Sequence, residues 1–166
     1  LSDEVYEHMT YDGLLHKSAC QFPILKQHSF VIASFGKTFH NTGWKMGYAA
    51  APKPLMDEFV KVHEFNTYSS NSPFQQAFAT FIQDENNYNY LNNFYQAKRD
   101  LFLDGIQNSK FTFTPSKGTY FQLLKYDKIT QENDVNFAKR LVKDFKIATI
   151  PISVFNVNNL DEKVLR

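Results

Sequence analysis

Two short apolar runs, residues 30–34 and 46–51, constrain the fold most. The first leads into Ser34-Phe35-Gly36-Lys37, and the second stops at Pro52 and Pro54. Short runs bounded in this way read as buried strands. Beyond the second run the period changes. Leu55, Phe59, Val60 and Val62 lie near helical spacing behind Pro54, and proline suits a first helical turn. Residues 73–83 and about 86–107 read as two further helices. The second keeps Tyr90, Leu91, Phe94, Ala97, Leu101 and Ile106 roughly on one face, with Gly105 as a stop signal.

The flanks complete an α/β pattern. Residues 1–6 read as the end of a strand, and residues 10–27 as a loop broken by Gly13 and Pro23. Residues 111–114 and 119–124 alternate around the turn at 115–118 and predict a hairpin. Asn133 or Asp134 caps a helix expected to bury Val135, Ala138, Leu141, Val142 and Phe145. Residues 147–150 read as a strand stopped by Pro151, and Val164 starts another. The expected division is part of an α/β domain over 1–105 and a smaller α+β domain over 106–166. The chain opens at Leu1 on a strand-like segment and closes inside another. It is therefore expected to be a fragment of a larger protein.

Composition narrows the function. An apolar share of 43% with 17 Phe supports a core, and 18 basic against 17 acidic residues gives no electrostatic reason for nucleic acid or an anionic membrane as partner. No apolar run approaches the ~20 residues that span a bilayer. Cys20 stands alone and fits a reducing, cytoplasmic setting. His8, His16, His28, His40 and His63 lack metal-ligand spacing, and no nucleotide-binding glycine pattern occurs. No metal is expected.

The chemistry concentrates in residues 34–48. A lysine just past an apolar strand, beside Gly36, is open to desolvation, which disfavours the ammonium. Lys45 nearby pushes in the same direction. Lowering a lysine pKa from ~10.4 to ~7–8 takes about 4 kcal/mol. The neutral amine is a nucleophile toward aldehydes. A solvated surface lysine is the plainer reading of Lys37 from the pattern alone.

The full run Ser34-Phe35-Gly36-Lys37, followed by Thr42-Gly43-Trp44-Lys45-Met46-Gly47-Tyr48, resembles the signature of the class I aminotransferases of pyridoxal-phosphate fold type I. The resemblance implies that Lys37 holds pyridoxal 5'-phosphate (PLP) through a Schiff base. It implies that Ser34 and Lys45 bind the cofactor phosphate. Many family members carry arginine at the Lys45 position, and lysine binds phosphate as a point charge without a bidentate fork. Upstream, Asp3-Glu4-Val5-Tyr6 resembles the family's Asp-x-x-Tyr. There the aspartate pairs with the ring nitrogen and keeps it protonated, and the tyrosine hydroxyl bonds the ring oxygen. Arg166 resembles the arginine that grips the substrate α-carboxylate. Residues 115–121 resemble the start of the family's small domain. Residues 150–155 resemble its segment near the substrate side chain, with Phe155 as a pocket or core aromatic. Residues 68–73 resemble the loop that reaches the neighbouring subunit's cofactor.

The details lie closest to methionine, aromatic and kynurenine aminotransferases. The implied fold is part of the large PLP-binding domain followed by a smaller α+β C-terminal domain. The implied reaction exchanges an amino group between an amino acid and a 2-oxo acid, in a homodimer. A PLP-dependent carbon–sulfur β-lyase and a PLP-sensing domain of a transcription regulator are the alternatives. A truncated product without activity is the plainest. The chain on its own is expected to be inactive and prone to aggregate.

Overall fold

The computed structural model describes all residues, Leu1–Arg166, and the chain divides into two compact units, Leu1–Phe94 and Tyr95–Arg166. The first unit is built on three strands in the order β1 (Ser2–Asp3), β2 (Val31–Ser34) and β3 (Gly47–Ala50). β1 runs parallel to β2, and β3 runs antiparallel to it. Val31 and Ala33 are buried on one face of this sheet.

Four helices and part of a fifth surround the strands in sequence: α1 (Pro23–His28), α2 (Phe35–Thr38), α3 (Lys53–Asn66), α4 (Ser72–Phe81) and the start of α5 (Leu91–Ile106). Pro23 does not interrupt a loop as expected. It occupies the first turn of α1, where a missing N–H costs nothing. α5 starts later than expected, because residues 85–87 form a separate 3-10 turn opened by the Asp84 side chain on the Asn86 N–H (3.0 Å). The division between the two units falls after Phe94, within α5.

An aromatic cluster anchors this unit. Phe35 and Phe39 of the α2 region both stack on buried Phe78 of α4, with ring centroids 4.6 and 5.7 Å away. Trp44 stacks on Phe74 at 4.1 Å. α3 contrasts with this. None of its residues is buried, and Phe65 is 91% exposed.

The second unit gathers around Tyr126, Phe137, Ala138, Leu141 and Leu165, with Phe111 packed against them. Its sheet is short: β4 (Leu124–Lys125) pairs antiparallel with β5 (Val164–Leu165). Single bridges join Thr112 to Lys125 and Pro151 to Leu165. The hairpin expected over 111–124 and the strand expected over 147–150 are thus reduced to one bridge each. A physical reason is visible for the first. The Gln122 side chain takes the Thr114 carbonyl (2.9 Å) and the Ser116 N–H (3.1 Å), groups that a ladder would pair, and Thr119 adopts a left-handed φ of 65°.

Asn133 caps α6 (Asp134–Arg140), its Oδ1 accepting the Asn136 N–H at 2.9 Å. Asp134, Phe137, Ala138 and Leu141 form the buried face. Val142 and Phe145 do not join it and are exposed. The helix widens into a π-turn over Leu141–Phe145, which shifts the apolar register by one residue.

Candidate active site

The strand register sets out the first half of the site. Asp3 pairs with Ile32, Ile32 with Ala49, and Ser34 with Gly47. Side chains alternate across a strand, and directly paired residues share a face. Asp3, Ile32 and Ser34 therefore stand on one face, with Val31, Ala33 and Tyr48 on the other. The front face is open: Asp3 is exposed, and so is Ile32.

α2 follows Ser34 without a break. Ser34 caps it, its Oγ accepting the Gly36 N–H at 3.2 Å, which leaves the hydroxyl proton to donate elsewhere. Lys37 lies three residues on, on the same side of the turn as Ser34. It is half-buried and falls in sequence between Phe35 and Phe39, the two phenylalanines held by Phe78. Spacing alone did not single out Phe35 and Phe39, although a Phe at i and i+4 around the lysine was the available signal.

The loop after α2 folds back on it. Asn41 N–H and Thr42 Oγ1 both donate to the Gly36 carbonyl at 3.1 Å. A Cβ added at Gly36 would stand 2.8 Å from the Thr42 Cα, so only glycine admits this approach. Gly36→Ala in the protein expressed from its whole gene is expected to lower stability by about 1–3 kcal/mol, because backbone must shift. Denaturant midpoints check this, and an unchanged midpoint would remove the close approach from the account.

Lys45 ends the 3-10 turn Thr42–Trp44 in the left-handed region, at φ 53°, and is exposed. Its neighbour Met46 accepts the Phe35 N–H at 3.1 Å, which brings Lys45 to the strand-end corner that carries Ser34. Tyr6 is half-buried in the turn after β1, where Met9 N–H donates to the Tyr6 carbonyl at 2.8 Å.

The back face holds that turn. Glu4, one residue past Asp3, is buried. Its carboxylate accepts Ser2 Oγ at 2.9 Å and the Ala19 N–H at 2.9 Å, and it pairs with His16 Nε2 at 2.8 Å. Burial pushes the Glu4 carboxyl up. Hydrogen bonds from His16, the Ala19 backbone, Ser18 and Ser2 outweigh burial and hold its pKa at about 2. Glu7 accepts the Tyr48 hydroxyl at 2.8 Å, fastening the same turn to β3. Burial, reinforced by the Glu7 hydrogen bond and by nearby negative charge, raises the Tyr48 phenol above its ordinary value.

Arg166 belongs to the second unit. It exchanges both backbone hydrogen bonds with Ile150, each 2.9 Å. Its guanidinium carbon lies 3.9 Å from the Phe121 ring centroid and 5.6 Å from that of Phe155. Its Nε is buried and has no hydrogen-bond partner. Asp3, Ser34, Lys37 and Lys45 are thus gathered on one sheet face and strand-end corner of the first unit, with Tyr6 on the adjoining turn.

Comparison with known proteins gives the chain's family. The family model "Aminotransferase class I and II" matches residues 1–166. A methionine aminotransferase of Escherichia coli (strain K12) is 39% identical over 167 residues, covering 100% of this chain and 43% of that protein. A kynurenine–oxoglutarate transaminase of Dictyostelium discoideum is 30% identical over 174 residues, covering 93% of this chain and 40% of that protein. The solved structure of Escherichia coli YbdL, described as having a methionine aminotransferase function, superposes with a TM-score of 0.94 at 38% identity, over 99% of this chain and 44% of its own. The chain therefore spans under half the length of these relatives. With a family model matched from its first residue to its last, on a fold shared with a solved aminotransferase, the chain belongs to the class I and II aminotransferases, a PLP-dependent family.

Proposed function

We propose that this chain carries the cofactor-holding residues and a substrate-binding arginine of a PLP-dependent transaminase. The observation that carries the reading is the strand register, which sets Asp3 and Ser34 on one sheet face with Lys37 one helical turn beyond Ser34. The donor set fits the cofactor group by group. The Ser34 hydroxyl and the Lys45 ammonium suit its phosphate. The Asp3 carboxylate suits a protonated ring nitrogen, and the Tyr6 phenol a ring oxygen. The Lys37 amine suits an aldehyde carbon.

When bound, the cofactor supplies an electron-withdrawing ring that stabilises negative charge at the substrate α-carbon. The chain's own residues do the rest. Arg166 orients the substrate by its α-carboxylate. Lys37 Nζ would take the substrate α-proton as a general base and, once protonated, donate it as a general acid. Asp3 keeps the ring nitrogen charged, and Ser34 and Lys45 prevent the cofactor from swinging on its phosphate.

The amino donors are methionine, aromatic or kynurenine-like amino acids, and the acceptors are 2-oxo acids. The activities of the relatives support this and disfavour a lyase. A homodimer extends the reading. Tyr68, 82% exposed at a φ of 63°, stands on the loop that would meet the second subunit. No helix is long and apolar enough to cross a membrane, and the one cysteine, Cys20, is free. Both fit a cytoplasmic location.

The test uses the whole-gene product. PLP should bind with a visible absorbance band, and methionine, phenylalanine or kynurenine with a 2-oxo acid should give the matching keto acid. Release of pyruvate and ammonia from cystathionine without transamination would establish a lyase instead. No spectral change on adding PLP would overturn the reading.

A further inference from the structure

Asp134 is a carboxylate in an apolar place. It sits on the α6 face otherwise made of Phe137, Ala138 and Leu141, and is 1% exposed. Such a burial is tolerated only with full hydrogen bonding. Both oxygens bond one residue: Oδ2 accepts the Ser153 N–H at 2.7 Å, and Oδ1 accepts Ser153 Oγ at 2.7 Å. Asp134 is not the helix cap, since Asn133 already fills that role. Its two bonds instead fix a segment 19 residues away in the chain.

That segment supports Arg166 at both ends. At one end Ile150 exchanges two backbone hydrogen bonds with it. At the other, the 3-10 turn Ser153–Phe155 carries the ring that flanks its guanidinium, with Phe121 nearer still. The aromatic faces steady the cation without consuming its N–H donors, and the buried Nε has no hydrogen-bond partner.

We propose that Asp134 is a positioning residue. Through Ser153 it locks residues 150–155, and so holds the Arg166 guanidinium oriented for a carboxylate. The proposal rests on the reading of Arg166 as the substrate-carboxylate grip. Its signature is an effect common to all amino acid substrates, because the α-carboxylate is common to them.

The experiment measures KM and kcat for methionine and for phenylalanine, with thermal midpoints, on the whole-gene product and its variants Ser153→Ala, Asp134→Asn and Arg166→Lys, singly and combined. Ser153→Ala keeps one of the two bonds and is expected to raise both KM values by the same factor, about threefold to tenfold, with kcat within about twofold. Asp134→Asn is expected to raise them further. In the Arg166→Lys background neither change should add. Unchanged KM values beside a lowered midpoint would make the pair merely structural and overturn the proposal. Effects that add to Arg166→Lys, or that differ between methionine and phenylalanine, would also overturn it. If Arg166→Lys alone leaves both KM values unchanged, the carboxylate-grip reading itself fails. Should Asp134→Asn not fold, Ser153→Ala decides alone.

Discussion

Lys37→Ala in the whole-gene product is expected to abolish the visible band given by the lysine-bound cofactor and to lower transaminase turnover by on the order of 10⁴-fold. The loss should be chemical and not architectural. The backbone at position 37 is held from both sides, by the stacking of Phe35 and Phe39 on Phe78 and by the return of residues 41 and 42 onto the Gly36 carbonyl. Alanine is moreover the strongest helix former. The variant should therefore keep its circular dichroism and still retain cofactor through Asp3, Tyr6, Ser34 and Lys45. Absorbance spectra and initial rates on the same preparation separate the two possibilities. A normal visible spectrum in Lys37→Ala would sink the assignment of the cofactor-bearing amine.

The largest expected effect on stability lies behind the sheet, at Glu4. Its ordinary pKa of 4.5 falls to about 2 in the fold. A depressed carboxyl contributes stability that is fully present above its unfolded value and lost as pH falls through its folded one. The gap corresponds to roughly 3 kcal/mol, drained between about pH 5 and pH 2. Glu4→Gln cannot titrate. Its unfolding free energy should be lower than that of the parent near neutrality, and its decline between pH 5 and pH 2 should be shallower. Denaturant titrations of both proteins across that window provide the measurement. Parallel curves would mean that Ser2, His16 and the Ala19 N–H do not discriminate between the two protonation states.

The parts of the site written in local sequence were legible. Strand alternation and one helical turn relate Ser34 to Lys37, and a proline-stopped run marks β3. Legibility failed where a side chain took over backbone groups that a ladder would pair. Gln122 claims the carbonyl and the N–H around which a hairpin was expected, and the left-handed Thr119 bends the chain. Pro23 could mark either a loop or a helix start, and only the helix beyond it decides. Val142 and Phe145 were placed on an unbroken helical period that the π-turn interrupts. Glu4 had no visible partners, because His16 and Ala19 approach it only after the loop between them has closed. The Asp134–Ser153 pair is hidden for the same reason, its members being 19 residues apart.

The adjacency of Asp3 and Glu4 has a further consequence for how this stretch of chain can vary. Two carboxylates in succession, one ending a strand and one just past it, serve opposite sides of a sheet, one toward open space and the other into a closed set of donors. Their positions cannot be exchanged by sliding the strand, since a one-residue shift turns every side chain over. A one-residue insertion or deletion ahead of this pair would therefore displace both acids from their places at once.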